Sequence, residues 1–243
     1  MHDETDLDLR VGTTDGAPSD LYRVIDAATL ATSRRITSHG RGLVTGLSMV
    51  VLAAGAEAFH HVSAVLDWAP PELRVELLLH VPGEQVTRRL DQLAWPWSAV
   101  LPRGDGTSCL DRMATMDAAT AQATGEFVVV TAPESGGDPT PLLASLDEAL
   151  GIMWVDAADA MVLGGGLRSS EMVPGPDARA EHLAVGLGLW RGAGERRATM
   201  VVLRRWVARF LFEEIGRAID PMQELTERVR LLELRLVAVT DIA

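Results

Sequence analysis

The 243-residue chain has no lysine and a single cysteine. All 22 basic side chains are arginines, so a Schiff-base lysine and the lysine of a P-loop are both excluded. Cys109 has no second cysteine with which to form an internal disulfide or a cysteine-based zinc site. We therefore interpret Cys109 as a small buried residue, with a lone nucleophile as the alternative.

Positive charge is scarce as well, because the formal net charge is −12. Nucleic acids and anionic membranes bind positive surfaces, so we expect neither as a partner. No apolar run approaches the roughly 18 residues of a membrane span. Residues 1–8 are acidic and polar, unlike a signal peptide. The sequence therefore predicts a cytoplasmic protein without a transmembrane segment.

The chain does contain short apolar runs that alternate with segments of helical spacing. This alternation is typical of βαβ units, and it predicts an α/β fold with a mostly parallel sheet flanked by helices. We expect an N-terminal tail and helix over 1–45 and a single domain over 46–243 that includes C-terminal helices. The predicted strands are 47–53, 73–81, 98–101, 127–131, 153–155, 161–163 and 198–203, and the predicted helices are 20–33, 57–68, 84–93, 107–124, 141–150, 206–215 and 221–239.

Four strings in this order resemble those of a known family. The clearest is Ala123-Thr-Gly-Glu-Phe-Val-Val-Val, and the others lie at 47–55, at 73–80 and at 201–221, where Val201-Val-Leu-Arg-Arg precedes Ile219-Asp-Pro. Together they are similar to the family-2 glycosyltransferases of the GT-A fold. The resemblance implies a GT-A-like sheet, a nucleotide-sugar donor, a separate acceptor and a Mg²⁺ or Mn²⁺ ion.

The resemblance implies a metal site directly after the strand 127–131. The family has Asp-x-Asp there because two carboxylates hold a divalent ion against the diphosphate, but this chain has Ala132-Pro133-Glu134. Glu134 is the candidate ligand that remains, and Asp138 is a second candidate if the loop folds back. The alternative is that both are solvated loop charges.

The resemblance also implies a catalytic base near the start of the last helix. The matching pair is Arg228-Val229, so the base is absent at that position. Glu224 and Glu227 are the nearby candidates. Both also have the spacing to form ion pairs with Arg228 and Arg230, which is the structural alternative.

Nucleotide recognition rests on weaker candidates. His80 and Asp117 occupy the positions that hold polar contacts in the family, although either fits a purely structural role. Arg168 follows three glycines that could cradle a phosphate or form a simple turn. Arg204 and Arg205 are further sources of positive charge for a site without a metal.

An apolar stripe in the last predicted helix, from Leu225 to Val239, indicates either packing on the sheet or a docking surface for a partner or a second copy. Two functions therefore remain open. One is a glycosyltransferase-like enzyme with a diverged metal and diphosphate site. The other is a catalytically inactive relative, without a metal cofactor, that acts as a binding or partner-docking module.

Overall fold

The structure is a computed structural model, and it describes residues 21–32, 44, 46–52, 55–80, 82–100, 109–132, 138–164, 178–189 and 199–240. The strands are β1 Tyr22–Asp26, β2 Gly46–Val51, β3 Arg74–His80, β4 Trp97–Val100, β5 Phe127–Ala132, β6 Ala160–Gly164, β7 Thr199–Arg204 and β8 Leu236–Thr240. The helices are α1 Ala27–Thr32, α2 Gly55–Trp68, α3 Glu84–Gln92, α4 Cys109–Gln122, α5 Thr140–Val155, α6 Ala178–Gly186, α7 Arg205–Phe212 and α8 Pro221–Leu231, and a 3₁₀ turn spans Ile215–Arg217.

The described strands form one sheet in the order β1-β8-β6-β7-β5-β2-β3-β4. Every neighbouring pair is parallel except the two that involve β7, which is antiparallel to both β5 and β6. Seven strands therefore end at one edge, which we call the carboxyl edge. The opposite edge, where those seven strands begin and β7 ends, is the amino edge. The predicted mostly parallel α/β sheet is confirmed.

Helices cover both faces of this sheet. One apolar cluster joins the sheet to α1, α2, α3 and α5, and the other joins it to α4, α6, α7, α8 and the 3₁₀ turn. The central strands are buried on both faces, which explains why their sequences are continuous apolar runs rather than alternating ones. None of the helices in the described part of the chain has the length and hydropathy needed to cross a membrane.

The helix predicted over 20–33 is wrong in its first half. Tyr22–Asp26 is the edge strand β1, which pairs in parallel with β8. The helix begins only at Ala27, and the Asp26 carboxylate accepts a hydrogen bond from the Thr29 amide at 2.6 Å. A short apolar run fits either element by spacing alone, and the pairing with β8 decides the outcome.

The helix predicted over 221–239 is also wrong beyond Leu231. Leu236–Thr240 is the buried strand β8, so Leu236 and Val239 belong to the sheet. Leu225 and Val229 of α8 are buried within the chain. The C-terminal amphipathic docking helix therefore does not exist as predicted, and most of its stripe is core.

Helix α5 continues to Val155, so the strand predicted over 153–155 is wrong. Both this helix and α8 are followed by a residue in the left-handed region, Ala157 with φ 52° and Glu233 with φ 47°. Glycine usually marks such positions. Because neither position is glycine, the sequence gives no local sign of where these helices end.

Candidate functional site

The carboxyl edge on the β4 side of the sheet is the natural place for a ligand. Strands β5, β2, β3 and β4 end there side by side, and the connections after them lead into α5, α2, α3 and α4. Ligands in open α/β sheets bind beyond the carboxyl ends of the strands. The helices also begin at this edge, so their N-terminal amide groups favour an anionic group such as a diphosphate.

Asp138 lies at this edge, directly before α5. Its carboxylate accepts a hydrogen bond from the Thr140 amide at 2.9 Å, and its Oδ1 atom is 3.9 Å from His60 Nε2. The hydrogen bonds from Thr140 are the main cause of a lowered pKa of Asp138. Asp138 is therefore an ionised, exposed carboxylate that caps a helix. Glu134 and Arg168, the other predicted phosphate and metal residues, lie outside the described residues.

A divalent metal needs more oxygen ligands than Asp138 provides. Mg²⁺ and Mn²⁺ favour several hard oxygen donors. Across the ranges that the structure describes, no three His, Cys, Asp or Glu side chains converge in a way that could hold an ion. The neighbour of Asp138 is an imidazole instead. The described residues alone therefore do not fit a divalent metal, and no chemical step is derived through one.

His61, the next residue along α2, faces the interior. Its side chain is buried, and its Nδ1 atom has no hydrogen-bond partner. Burial, with a smaller effect of neighbouring His60, lowers the pKa of His61 to about 4. The ring is therefore neutral at pH 7 and supplies no positive charge to an anion. The adjacent His60 is exposed, so the two rings point in different directions.

His80 ends β3 at the carboxyl edge, as its predicted contact with a nucleotide requires. However, its side chain is buried beneath α4, where its Nδ1 atom lies 3.2 Å from the Thr115 hydroxyl. Burial lowers the pKa of His80, and Arg112 lowers it further against the opposing effect of Asp111. This environment supports the structural alternative for His80.

Asp117 lies farther along α4 and is half-buried. It is two residues beyond Thr115, which places the two side chains about 200° apart around the helix axis. Thr115 faces His80, so Asp117 points away from it. The structure does not bring the two predicted nucleotide contacts together.

Glu224 and Glu227 lie on α8. Glu224 accepts a hydrogen bond from Arg228 Nε at 2.7 Å, which confirms the predicted i,i+4 ion pair. Arg228 Nη1 also donates to the carbonyl oxygens of Phe210, Leu211 and Glu213, at the end of α7. At the position of the family's base, this chain thus has an arginine that caps a helix, and Glu224 holds that arginine in place.

Arg204 and Arg205 are at the wrong edge to meet a diphosphate. Because β7 is antiparallel, it ends at the amino edge. Arg204 donates there to the carbonyl oxygens of Ala158 and Met153, and Arg205 donates to that of Thr124. The expectation that they supply charge to the site is wrong, because both cap ends of other elements.

The amino edge holds a polar cluster that the sequence analysis missed, formed by Ser48, Glu76, Thr124 and Gly125. The Glu76 carboxylate accepts hydrogen bonds from the Ser48 hydroxyl, from the Thr124 amide at 2.6 Å and hydroxyl at 2.8 Å, and from the Gly125 amide at 3.3 Å. We call it the Glu76 cluster. A lone carboxylate inside the apolar run of β3 was a visible signal for it.

Gly125 is required at this cluster by space. A Cβ atom there would lie 2.5 Å from the carbonyl carbon of Leu47 and the amide nitrogen of Ser48. The Gly125 amide donates to the Ser48 hydroxyl at 2.8 Å, and the Glu126 amide donates to the Gly46 carbonyl at 2.9 Å. The string that carried the resemblance is therefore explained by packing between β2 and the start of β5.

Cys109 begins α4 and is partly buried. Burial raises the pKa of its thiol, although Arg112 acts in the opposite direction. A protonated thiol is a poor nucleophile, so this environment favours the structural interpretation.

Solved structures of other proteins are similar to the fold of this chain. The structure of glucosyl-3-phosphoglycerate synthase from Mycobacterium tuberculosis with Mg²⁺ and uridine diphosphate is similar over 92% of this chain and 77% of its own, with a TM-score of 0.50 and 12% identity. A second structure of the M. tuberculosis synthase is similar over 91% of this chain and 77% of its own, with a TM-score of 0.52 and 12% identity. The chain therefore has the GT-A-like fold of a nucleotide-sugar glycosyltransferase. No protein-family model matches the sequence, and no curated protein is similar to it in sequence.

Proposed function

We propose that this protein is a glycosyltransferase-like protein of the family-2 type that binds a nucleoside diphosphate sugar at the carboxyl edge of β2, β3, β4 and β5. The observation that carries the proposal is the fold, which is shared with a synthase solved with Mg²⁺ and uridine diphosphate. The helices that begin at the same edge support an anionic ligand there.

In this proposal the diphosphate lies between the N-terminal ends of α2 and α5. Asp138 lies close to the start of α5 and is assigned to this site, and Glu134 and Arg168 are proposed to act with it. Glu134 and Asp138 would hold a Mg²⁺ or Mn²⁺ ion, which would neutralise the charge of the leaving diphosphate. His80 and Asp117 are not part of the proposal, because the His80 ring is buried and the Asp117 side chain points away from His80.

A second candidate function is a catalytically inactive binding module. Two observations favour it: the residue at the position of the family's base caps a helix, and Asp138 lies beside an imidazole rather than a second carboxylate. An inactive module would keep the nucleotide site or a partner site without transferring sugar.

Calorimetry with the full chain tests the proposed site. Uridine diphosphate, guanosine diphosphate and thymidine diphosphate are titrated with and without Mn²⁺. We expect uridine diphosphate to bind more tightly with Mn²⁺, and we expect Glu134→Gln and Asp138→Asn each to weaken the binding at least tenfold, which corresponds to about 1.4 kcal/mol. Asparagine can still cap α5, so Asp138→Asn isolates the charge.

Asp67→Asn is the matched control, because it removes one exposed carboxylate from the far end of α2. It should bind like the wild type. Binding of none of the three nucleotides would contradict the proposal. The rate at which uridine diphosphate is released from uridine diphosphate glucose then separates the two candidates. If the protein is an active enzyme, the wild type releases uridine diphosphate faster than the Asp138→Asn variant does. If it is an inactive module, the wild type binds uridine diphosphate glucose without releasing uridine diphosphate.

A further inference from the structure

Helix α7 exposes two large aromatic side chains. Trp206 is 55% exposed and Phe210, one turn later, is 41% exposed, whereas Val207, Ala208 and Leu211 on the inner side are buried. Exposed tryptophan and phenylalanine on one face of a helix are typical of interaction surfaces.

Leu231 extends the same surface. It lies at the end of α8 and is 75% exposed. Arg228 of α8 contacts the carbonyl of Phe210, and Leu231 is one turn farther along the same side of α8. The two helices run in opposite directions, because α7 starts and α8 finishes toward the amino edge. Leu231 is therefore on the Trp206 side. Trp206, Phe210 and Leu231 form what we call the α7–α8 patch.

The patch lies beside positive charge, although the chain is acidic. The sequence of α7 contains Arg205 and Arg209 and no acidic residue. Arg205 donates to the Thr124 carbonyl, and Arg209 donates to the carbonyls of Thr120 and Ala121. Carbonyl groups carry no net charge, and among the residues that the structure describes neither arginine forms an ion pair with a carboxylate. A ligand of this surface should be both apolar and acidic.

Residues 1–20 have this chemistry. They carry six acidic side chains against the single basic Arg10, and Leu7, Leu9 and Val11 stand close to Asp6 and Asp8. A second copy fits less well, because a two-fold interface at this patch brings the arginines of both copies together.

The connection is long enough. The segment joins the described chain at Leu21, whose carbonyl accepts a hydrogen bond from Leu236 at the amino edge. Helix α7 begins at the same edge, directly after β7. β1 and β7 are three strand positions apart, or about 14 Å, while the roughly 12 residues from Leu9 to Leu21 span about 19 Å on average.

We propose that residues 1–20 bind the α7–α8 patch of their own chain. Leu7 and Leu9 cover Trp206 and Phe210, and Asp6 and Asp8 face Arg205 and Arg209. Because the segment is tethered, its effective concentration at the patch is in the millimolar range. Even weak contacts are therefore enough to keep the segment bound. The inference is independent of the nucleotide site.

Fluorine NMR of the full chain labelled with 5-fluorotryptophan tests this proposal, with Trp206→Phe to assign the Trp206 resonance. The wild type is compared with Leu7→Ser/Leu9→Ser and with Asp6→Asn/Asp8→Asn. We expect both double variants to shift the Trp206 resonance and to raise its sensitivity to exchange of H₂O for D₂O. We also expect 1 M salt, at which the Debye length is about 3 Å, to reproduce part of the shift. The Trp97 resonance, from the other end of the sheet, is the internal control.

Three outcomes would overturn the proposal. One is a Trp206 resonance that is the same in the wild type and in both segment variants. Another is a resonance that moves on dilution of the wild type, because it would identify a second copy as the occupant. The third is an equal shift of Trp97, because it would indicate a general change in folding rather than uncovering of the patch.

Discussion

The two edges of the central strands are built differently. At the amino edge, one carboxylate accepts four hydrogen bonds in the Glu76 cluster, and Arg204 and Arg205 cap neighbouring elements. At the carboxyl edge, the described polar groups are fewer: Asp138 caps a helix beside His60, and His80 is turned into the interior. Hydrogen-bonded polar residues therefore hold the fold at the amino edge, whereas the described polar groups at the carboxyl edge form fewer contacts with one another.

This difference changes the meaning of the string around Gly125. That string resembles part of a glycosyltransferase motif, yet its residues belong to the amino edge and act through packing and hydrogen bonds. It indicates the fold, while the site that we propose for the nucleotide lies at the opposite edge. A motif can thus identify an architecture while saying little about the reaction.

Gly125→Ala should have the largest effect, because it breaks the amino edge directly. The new methyl group would meet the backbone of Leu47 and Ser48 at 2.5 Å, so β2 and β5 must move apart. We expect the free energy of unfolding to fall by about 3 kcal/mol, measured by urea denaturation. Gly83→Ala is the control, since a Cβ atom there meets nothing within 4 Å. Similar losses in both variants would contradict this account of Gly125.

Glu76→Gln should cost about 2 kcal/mol at pH 7, because it removes a charged acceptor of several hydrogen bonds. Burial alone would raise the pKa of Glu76, but the hydrogen bonds from Ser48, Thr124 and Gly125 outweigh it and lower the pKa below 4.5. The stabilisation is therefore complete above pH 4.5 and is lost as the pH falls through the lower folded value.

The difference between the wild type and Glu76→Gln should accordingly shrink in acid. Urea midpoints at pH 7 and at pH 3 measure it. Glu57→Gln, an exposed change on α2, serves as the control and should have little effect at either pH. A difference that stays constant with pH would show that the charge of Glu76 is not what matters.

His61→Leu tests α2, the helix that begins at the carboxyl edge. The folded pKa of His61, about 4, lies below the ordinary 6.5. Between these two pH values the unfolded state binds a proton that the folded ring does not. The stability of the wild type is therefore unaffected by this group above pH 6.5 and falls as the pH drops toward 4. The buried Nδ1 atom is also unpartnered. We expect His61→Leu to be at least as stable as the wild type at pH 7.5 and about 1–2 kcal/mol more stable at pH 5. Chemical denaturation at both pH values checks this, and a less stable variant at pH 5 would contradict it.

Asp138→Ala should have the smallest effect on folding, about 1 kcal/mol or less, because it removes an exposed helix cap. Asp67→Ala, also an exposed aspartate, is the matched control for charge. The change should be clearly smaller than that of Glu76→Gln. If Asp138→Ala costs as much as Glu76→Gln, the two edges do not differ in the way proposed.

Much of the fold could be predicted from the sequence. The alternation of apolar runs and helical spacing between 47 and 150 gave the correct order of elements there, because most of these strands are buried and bounded by clear turns. The errors lie where two elements share one kind of pattern. Tyr22–Asp26 and Leu236–Thr240 pair with each other across the length of the chain, and spacing cannot reveal that pairing.

The candidate site was harder to predict. The edge at which Arg204 and Arg205 lie depends on the antiparallel direction of β7, which the local sequence does not encode. His80 was placed at the correct edge, but the direction of its side chain depends on α4. Resemblance transfers positions along the chain, whereas chemistry depends on which side chains face a common space.

Hydrogen exchange of the full chain with and without uridine diphosphate and Mn²⁺ tests the central claim most directly. The account predicts that the nucleotide slows exchange in segments at the carboxyl edge, at 49–60, 78–84 and 131–142, and leaves the amino-edge segments 120–126 and 204–209 unchanged. Protection of the amino-edge segments, or no protection in either set, would contradict it.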